Sequence, residues 1–85
     1  MNDIEQREFR ADPLKLKRLR VAAAITRKDV VDLTDLDKTT VSKIFRGDPV
    51  FLKSLSTLVD KVFHISNPLE VLHPEELAAM GAMTD

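Results

Sequence analysis

Side chains that donate hydrogen bonds gather in a short stretch near the middle of the chain. Lys38, Thr39, Ser42 and Lys43 recur at spacings that would place them on one side of a helix. Ammonium groups and hydroxyls are donors that phosphate oxygens and the edges of nucleic-acid bases accept. We therefore interpret this stretch as a candidate surface for contacting double-stranded DNA.

Apolar residues around these donors follow the pattern of two short helices joined by a tight turn. The segment 26–47 reads TRKDVVDLTDLDKTTVSKIFRG and predicts one helix from about Arg27 to Leu33 and another from about Lys38 to Phe45. Thr26 and Asp37 are placed to cap their amino termini. The spacing predicts a helix-turn-helix. Its expected buried residues are Val30, Val31, Leu36, Val41, Ile44 and Phe45.

Motifs in the same order resemble those of the phage lambda repressor and Cro-like (XRE-type) DNA-binding domains, over Leu14 to Leu72. They are LKRLR from Leu16, IT from Ile25, TTVSKI from Thr39 and RG from Arg46. The resemblance implies an all-α fold, a compact bundle of about five short helices with a helix-turn-helix. It also implies that the second helix of the pair enters the major groove.

The resemblance assigns base contacts to Lys38, Thr39 and Lys43. It assigns phosphate contacts to Arg27, assisted by Thr26 and Lys28, and to Arg46, while the Thr40 hydroxyl is a further candidate. Two alternatives stay open: the lysines could be ordinary solvated helix residues, and the threonines could serve only as caps or surface hydroxyls. The expected DNA-binding set is Thr26, Arg27, Lys28, Lys38, Thr39, Thr40, Lys43 and Arg46.

Four positions depart from the family pattern. Val31 replaces a usual alanine, and Asp35 replaces a usual glycine in the turn, which Asp tolerates better than most residues. Phe45 replaces a glutamate that often pairs with the arginine at Arg20, and Asp48 stands where lysines are frequent. Because the acid weakens a phosphate contact, we expect one domain to bind weakly and to act as a homodimer or within a longer chain.

Composition lowers the expectation of an enzyme. The chain has 85 residues, 44% of them hydrophobic, which suits one small core without a deep substrate cleft. It has no cysteine and two histidines, so we expect no catalytic, cofactor or metal site. We also expect no membrane span or signal segment, and hence a cytoplasmic protein of bacterial or phage type, associated with the nucleoid when bound.

Charge is unevenly distributed although the formal net charge is −1. Residues 14–47 carry nine basic and four acidic side chains, a net +5, whereas 1–13 sum to −2 and 48–85 to −4. A basic block that coincides with the predicted helix pair is typical of a DNA-binding surface. Solvation of ordinary helix surfaces is the simpler alternative.

The rest of the chain predicts further helices and no strand. We expect an arm over 1–11, a domain over 12–72, and a helical tail or linker to a missing region over 73–85. Asp12-Pro13 predicts a helix start and Leu16, Leu19 and Ala23 its buried stripe. The helix is expected to end near Ala24. Later helices are expected from Asp48-Pro49 to Phe63, over Pro68 to Leu72, and from Pro74 to about Met80.

Two functions remain open. The favoured hypothesis is sequence-specific binding of double-stranded DNA in transcriptional regulation, with repression as the expected outcome. The alternative is a protein-interaction module of antitoxin-like or adaptor type, which would bind a protein partner through residues 48–85. An exposed apolar patch on the helices predicted over Pro68 to Leu72 and from Pro74 to about Met80 would favour the alternative.

Overall fold

The computed structural model describes the backbone of residues 7–84 and the side chains of residues 7–81. Over this part of the chain, helices predominate, as predicted. The elements are β1 (Glu8–Arg10), α1 (Pro13–Ala22), α2 (Arg27–Thr34), α3 (Lys38–Arg46), β2 (Pro49–Phe51), α4 (Leu52–Phe63), a 3₁₀ helix (Pro68–Val71) and α5 (Pro74–Thr84).

The expectation of a chain without strands is wrong. β1 and β2 form a two-stranded antiparallel sheet in which Glu8 lies opposite Phe51, Phe9 opposite Val50, and Arg10 opposite Pro49. Each strand has three residues, too few for apolar alternation to reveal it in the sequence. Phe9 and Val50 are both buried, so the sheet closes one side of the core.

The segment before α1 belongs to the packed structure from β1 onward. Phe9 and Ala11 are fully buried, and Ala11 forms an isolated bridge with Leu72. Part of the expected arm is therefore a strand, while residues 1–6 lie outside the described residues. The Asp12 carboxylate accepts the Leu14 N–H at 3.0 Å, which confirms the predicted start of α1.

The end of α1 differs from the prediction. The helix stops at Ala22, because Ala24 takes a left-handed backbone with φ of 55° and turns the chain toward α2. Ala23 is exposed, so it does not continue the stripe formed by buried Leu16 and half-buried Leu19.

The hydrophobic core lies where the helices meet. α2 packs against α3 and α4, α1 packs against α3, and α4 also contacts β2 and the 3₁₀ helix. The buried apolar residues are Phe9, Ala11, Leu16, Val30, Val41, Ile44, Phe45, Val50, Leu55, Leu58, Val59, Val71 and Leu72. Helices α2 and α3 therefore pack on the same hydrophobic core.

Two later elements also differ in their bounds. α4 begins at Leu52 and not at Asp48-Pro49, since Pro49 takes part in β2, and Phe51 supplies no side-chain cap. α5 continues past Met80 to Thr84. Within residues 7–84, no helix has both the length and the apolar character needed to cross a lipid bilayer.

Candidate nucleic-acid interface

The turn between α2 and α3 is fixed by local hydrogen bonds. Asp35 takes the left-handed conformation with φ of 59°, and its N–H donates to the Val31 carbonyl at 3.0 Å. Buried Thr34 donates its hydroxyl to the Val30 carbonyl at 2.7 Å and accepts the Leu36 N–H at 3.2 Å. This structural use of Thr34 was not anticipated, because the hydroxyl gives no distinctive sequence signal.

A reciprocal cap forms the amino terminus of α2. The Asp29 N–H donates to Thr26 Oγ1 at 3.2 Å, and the Thr26 N–H donates to Asp29 Oδ2 at 2.9 Å. These contacts, the backbone one first, hold the pKa of Asp29 below its ordinary value. The amides of Arg27 and Lys28, at the first two helical positions, have no acceptor within the helix. They remain directed outward, where an anion is favoured.

Arg20 fixes the link that leads into α2. Its Nη1 donates to the Ile25 carbonyl at 3.2 Å, and the Ile25 N–H donates to the Arg20 carbonyl at the same distance. Its partner is thus a backbone carbonyl and not the glutamate that the family pattern often supplies. The contact secures Ile25 directly before the Thr26 cap.

Helix α3 presents its polar residues on two sides. Its start is capped by Asp37, which accepts the Thr39 N–H at 3.2 Å. Lys38, Thr39 and Arg46 line one shallow groove of about 240 Å³. Thr40 and Lys43 line another, of about 130 Å³, beside β2. Seven of the eight predicted residues are exposed and Thr40 is half-buried, but Lys43 does not share the groove of the other two predicted base readers.

The carboxyl end of α3 has little room for a side chain at Gly47. Gly47 has φ of 81°, and a Cβ there would lie 2.7 Å from Cγ of Pro13. Because Gly47 has no side chain, the end of α3 can pack closely against the start of α1. Just before it, Arg46 donates from Nη2 and Nε to Asp48 Oδ2 at 2.8 and 3.0 Å.

An aromatic ring lies against one of the residues that we predicted to contact phosphate. The Arg27 guanidinium lies 5.8 Å from the centre of the Phe45 ring. Phe45 is 6% exposed and fixed in the core, so this cation–π contact restricts where Arg27 can reach. The sequence predicted that Phe45 is buried and that it departs from the family pattern, but it did not predict this contact.

The structure also brings three predicted cations together at the junction of the two helices. Arg27 and Lys28 from α2 and Lys38 from α3 line a common cleft of about 350 Å³. Thr26 lies beside it in sequence as the α2 cap. The predicted set is therefore gathered around α2 and α3, with Thr40 and Lys43 displaced toward β2.

Comparisons with known proteins returned nothing similar: no family model, no curated protein and no solved structure matches this chain. Within residues 7–84, no group of three or more histidine, aspartate or glutamate side chains is arranged to hold a metal ion.

Proposed function

We propose that this protein binds double-stranded DNA in a sequence-specific manner and regulates transcription, with repression as the outcome. In this proposal α2 and α3 form a helix-turn-helix of the lambda repressor-like type, and α3 enters the major groove. The observation that carries it is the α2–α3 pair itself. It is braced by the Asp35 and Thr34 turn bonds and displays exposed cations on both helices.

In this proposal, bases are contacted by residues in the exposed first turn of α3 and in its next helical turn. Lys38 and Lys43 can donate to guanine O6 and N7, and the Thr39 methyl can contact a thymine methyl. Because Lys43 lies on the β2 side of α3, it would read a different part of the site from Lys38. Bases on both sides of the helix axis would then contribute to specificity.

Phosphate contacts fall to the ends of the pair. The outward amides of Arg27 and Lys28, together with their side chains, suit one backbone strand. Arg46, at the end of α3, suits the other. These contacts would fix the register of α3 without reading sequence.

Nearby acids limit the affinity of one domain. Asp29 and Asp37 cap the two helices, and Asp48 pairs with Arg46, so all three lie close to groups that would meet phosphates. Binding by two copies to paired half-sites about one helical turn apart would compensate for weak individual binding. We therefore propose a homodimer, or the same domain within a longer protein, as the form bound to DNA.

The test is fluorescence-anisotropy binding to a randomised duplex pool at low and moderate salt, followed by sequencing of the retained DNA. We expect an enriched motif, and an affinity that falls steeply with salt because bound phosphates release counterions. Binding without enrichment would contradict sequence-specific recognition. Absence of binding even at low salt would contradict the DNA function altogether.

A protein-interaction function is the second candidate, and the exposed apolar side chains of segment 48–85 are the observation that bears on it. Phe51 is 51% exposed on β2 and Leu77 is 37% exposed on α5, both within the acidic segment 48–85. Exposed Leu14, Val21 and Leu33 lie outside that segment, so the exposure does not single it out. The negative result of the DNA experiment would favour this second function.

A further inference from the structure

A cleft at the junction of α2 and α3 has a lining that combines two kinds of group. It has a volume of about 350 Å³. Val31 and Val41 are the apolar residues of its lining, and of the two only half-buried Val31 offers surface to a ligand, since Val41 is 1% exposed. That volume lies at the low end of the range of about 300–1,000 Å³ found for small-molecule sites. The cleft therefore suits a compact molecule with an apolar body.

The charges around the cleft favour an anion. Arg27, Lys28 and Lys38 contribute three cations, against the single acid Asp32. The Ser42 hydroxyl, in the same lining, adds a neutral donor. Arg27 is also held over the Phe45 ring, so at least one of the cations is positioned before a ligand arrives.

We propose that this cleft binds a small amphipathic carboxylate, with its apolar body against Val31 and its carboxylate among Arg27, Lys28 and Lys38. A phosphate group would satisfy the cations but has no apolar body to cover Val31. A neutral apolar molecule would leave the cations without a partner. The apolar and cationic parts of the lining together select one chemical class, an apolar group of modest size that carries a carboxylate.

Binding in this cleft would regulate the proposed function, on which this part of the inference rests. Arg27, Lys28 and Lys38 all belong to the proposed DNA-contacting set, so one cation cannot serve the carboxylate and the duplex together. The carboxylate and DNA are then competitors. By mass action, ligand at ten times its dissociation constant would raise the apparent Kd for DNA about tenfold.

The binding test uses two-dimensional amide NMR of the whole chain, titrated with 3-phenylpropionate. Two further probes distinguish the apolar contact from the charge contact. 3-Phenylpropanol keeps the apolar body without the charge, and acetate keeps the charge without the apolar body. We expect saturable shifts confined to amides of α2 and α3, with a Kd at least tenfold lower than for either further probe. Equal binding of 3-phenylpropanol, or shifts scattered over the chain, would overturn the proposal.

Variants test the apolar part and the cationic part of the lining separately. Val31→Thr keeps the shape but places a hydroxyl on the apolar lining, and its matched control is Val21→Thr on the exposed side of α1. Lys28→Gln with Lys38→Gln removes two cations, and Lys53→Gln with Lys61→Gln on α4 is the control for net charge. We expect both cleft variants to weaken 3-phenylpropionate binding at least fivefold and both controls to leave it unchanged. Unchanged binding in a cleft variant that retains the wild-type spectrum would overturn the assignment.

A competition experiment separates this proposal from the proposed function. Anisotropy with the enriched duplex is measured with and without 3-phenylpropionate at constant ionic strength. Ligand binding by NMR without any DNA binding would leave the cleft assignment intact and refute the proposed function. DNA binding without ligand binding would do the reverse, and simultaneous binding of both would overturn the competition.

Discussion

Arg46 and Asp48 form an ion pair at the end of α3, with Nη2 and Nε of the arginine 2.8 and 3.0 Å from Oδ2 of the aspartate. Both side chains are substantially exposed, at 58% and 44%, so the pair contributes at most about 1 kcal/mol to the free energy of unfolding. The ion pair matters more for the proposed binding of phosphate by Arg46. A phosphate that approaches Arg46 must displace a carboxylate that already accepts two of its N–H groups.

Replacing Asp48 with asparagine is expected to strengthen the proposed DNA binding. Asp48→Asn removes the negative charge beside Arg46 and so replaces the ion pair with at most a weaker neutral hydrogen bond. Affinity for all duplexes should rise by up to about fivefold, the equivalent of about 1 kcal/mol. The slope of log affinity against log salt should also steepen by about one phosphate contact. Anisotropy titrations at several salt concentrations measure both quantities.

The control for this prediction is Asp60→Asn, which removes the same charge from an exposed position on α4. An equal gain in both variants would show that net charge, and not release of Arg46, determines the effect.

Substitutions of the two α3 lysines should alter sequence preference. Lys38→Ala and Lys43→Ala each remove a proposed base contact, worth about 1–3 kcal/mol of discrimination at the bases concerned. Arg27→Ala removes a proposed phosphate contact and should weaken binding to every duplex alike. Sequencing of the DNA retained by each variant, with Lys53→Ala as a control, distinguishes these effects. Uniform losses for all three variants would contradict the assignment of base readers.

Because Lys38 and Lys43 line different grooves, their substitutions should also affect different base positions. Lys38→Ala should relax preference near the start of α3 and Lys43→Ala on the β2 side. Loss of preference at the same base pair in both variants would contradict this division.

The sequence predicted the helix pair well because its signals are local. Thr26 caps α2 and Asp37 caps α3. Of the six residues that apolar spacing predicted as buried, Val31 and Leu36 are half-buried and the other four are buried. Each of these depends on residues within a few positions of one another. The left-handed conformation of Asp35 was also expected, because the resemblance places a glycine at that turn position and aspartate tolerates the same region.

The sequence did not predict features that depend on distant partners. Phe9 is buried because β2, about 40 residues later, pairs with its strand. Arg27 lies over Phe45 because the α2–α3 crossing brings them together. Likewise, the side of α3 on which Lys43 lies is distinguished by the presence of β2. Such relationships follow from tertiary packing, and no local pattern encodes them.

The Phe9 and Phe51 side chains provide a matched test of the sheet. Phe9 is fully buried and Phe51 is 51% exposed, although both lie in the same small sheet. Phe9→Ala should lower the free energy of unfolding by about 3–5 kcal/mol, whereas Phe51→Ala should lower it by less than about 1 kcal/mol. Urea denaturation followed by circular dichroism measures both. Similar values for the two variants would contradict the inclusion of β1 in the core.

The capping box at α2 should contribute measurably to stability. Thr26→Ala removes the hydroxyl that accepts the Asp29 N–H and should cost about 1 kcal/mol in the free energy of unfolding. Thr26→Ser retains that oxygen and should restore most of the loss. If alanine and serine proved equally stable, the hydroxyl would not be acting as a cap.

The attachment of α5 to β1 should weaken in acid. Arg10 donates from Nη2 to Glu75 Oε2 at 2.8 Å and from Nε to Glu76 Oε1 at 3.0 Å. The hydrogen bond from Arg10 holds the pKa of Glu75 below its ordinary value of 4.5, and the same contact raises the pKa of Arg10. A lowered carboxyl pKa stabilises the folded form above the ordinary value, and this stabilisation is lost as the pH falls through the lowered pKa.

Hydrogen exchange measures this attachment directly. After correction for the intrinsic rate, amides of α5 should lose protection relative to those of α4 as the pH falls below about 4.5. Arg10→Gln should lower α5 protection at neutral pH and remove most of its acid dependence, because the glutamates then lack their cationic partner. Persistence of the full acid dependence in Arg10→Gln would show that α5 is held by other groups.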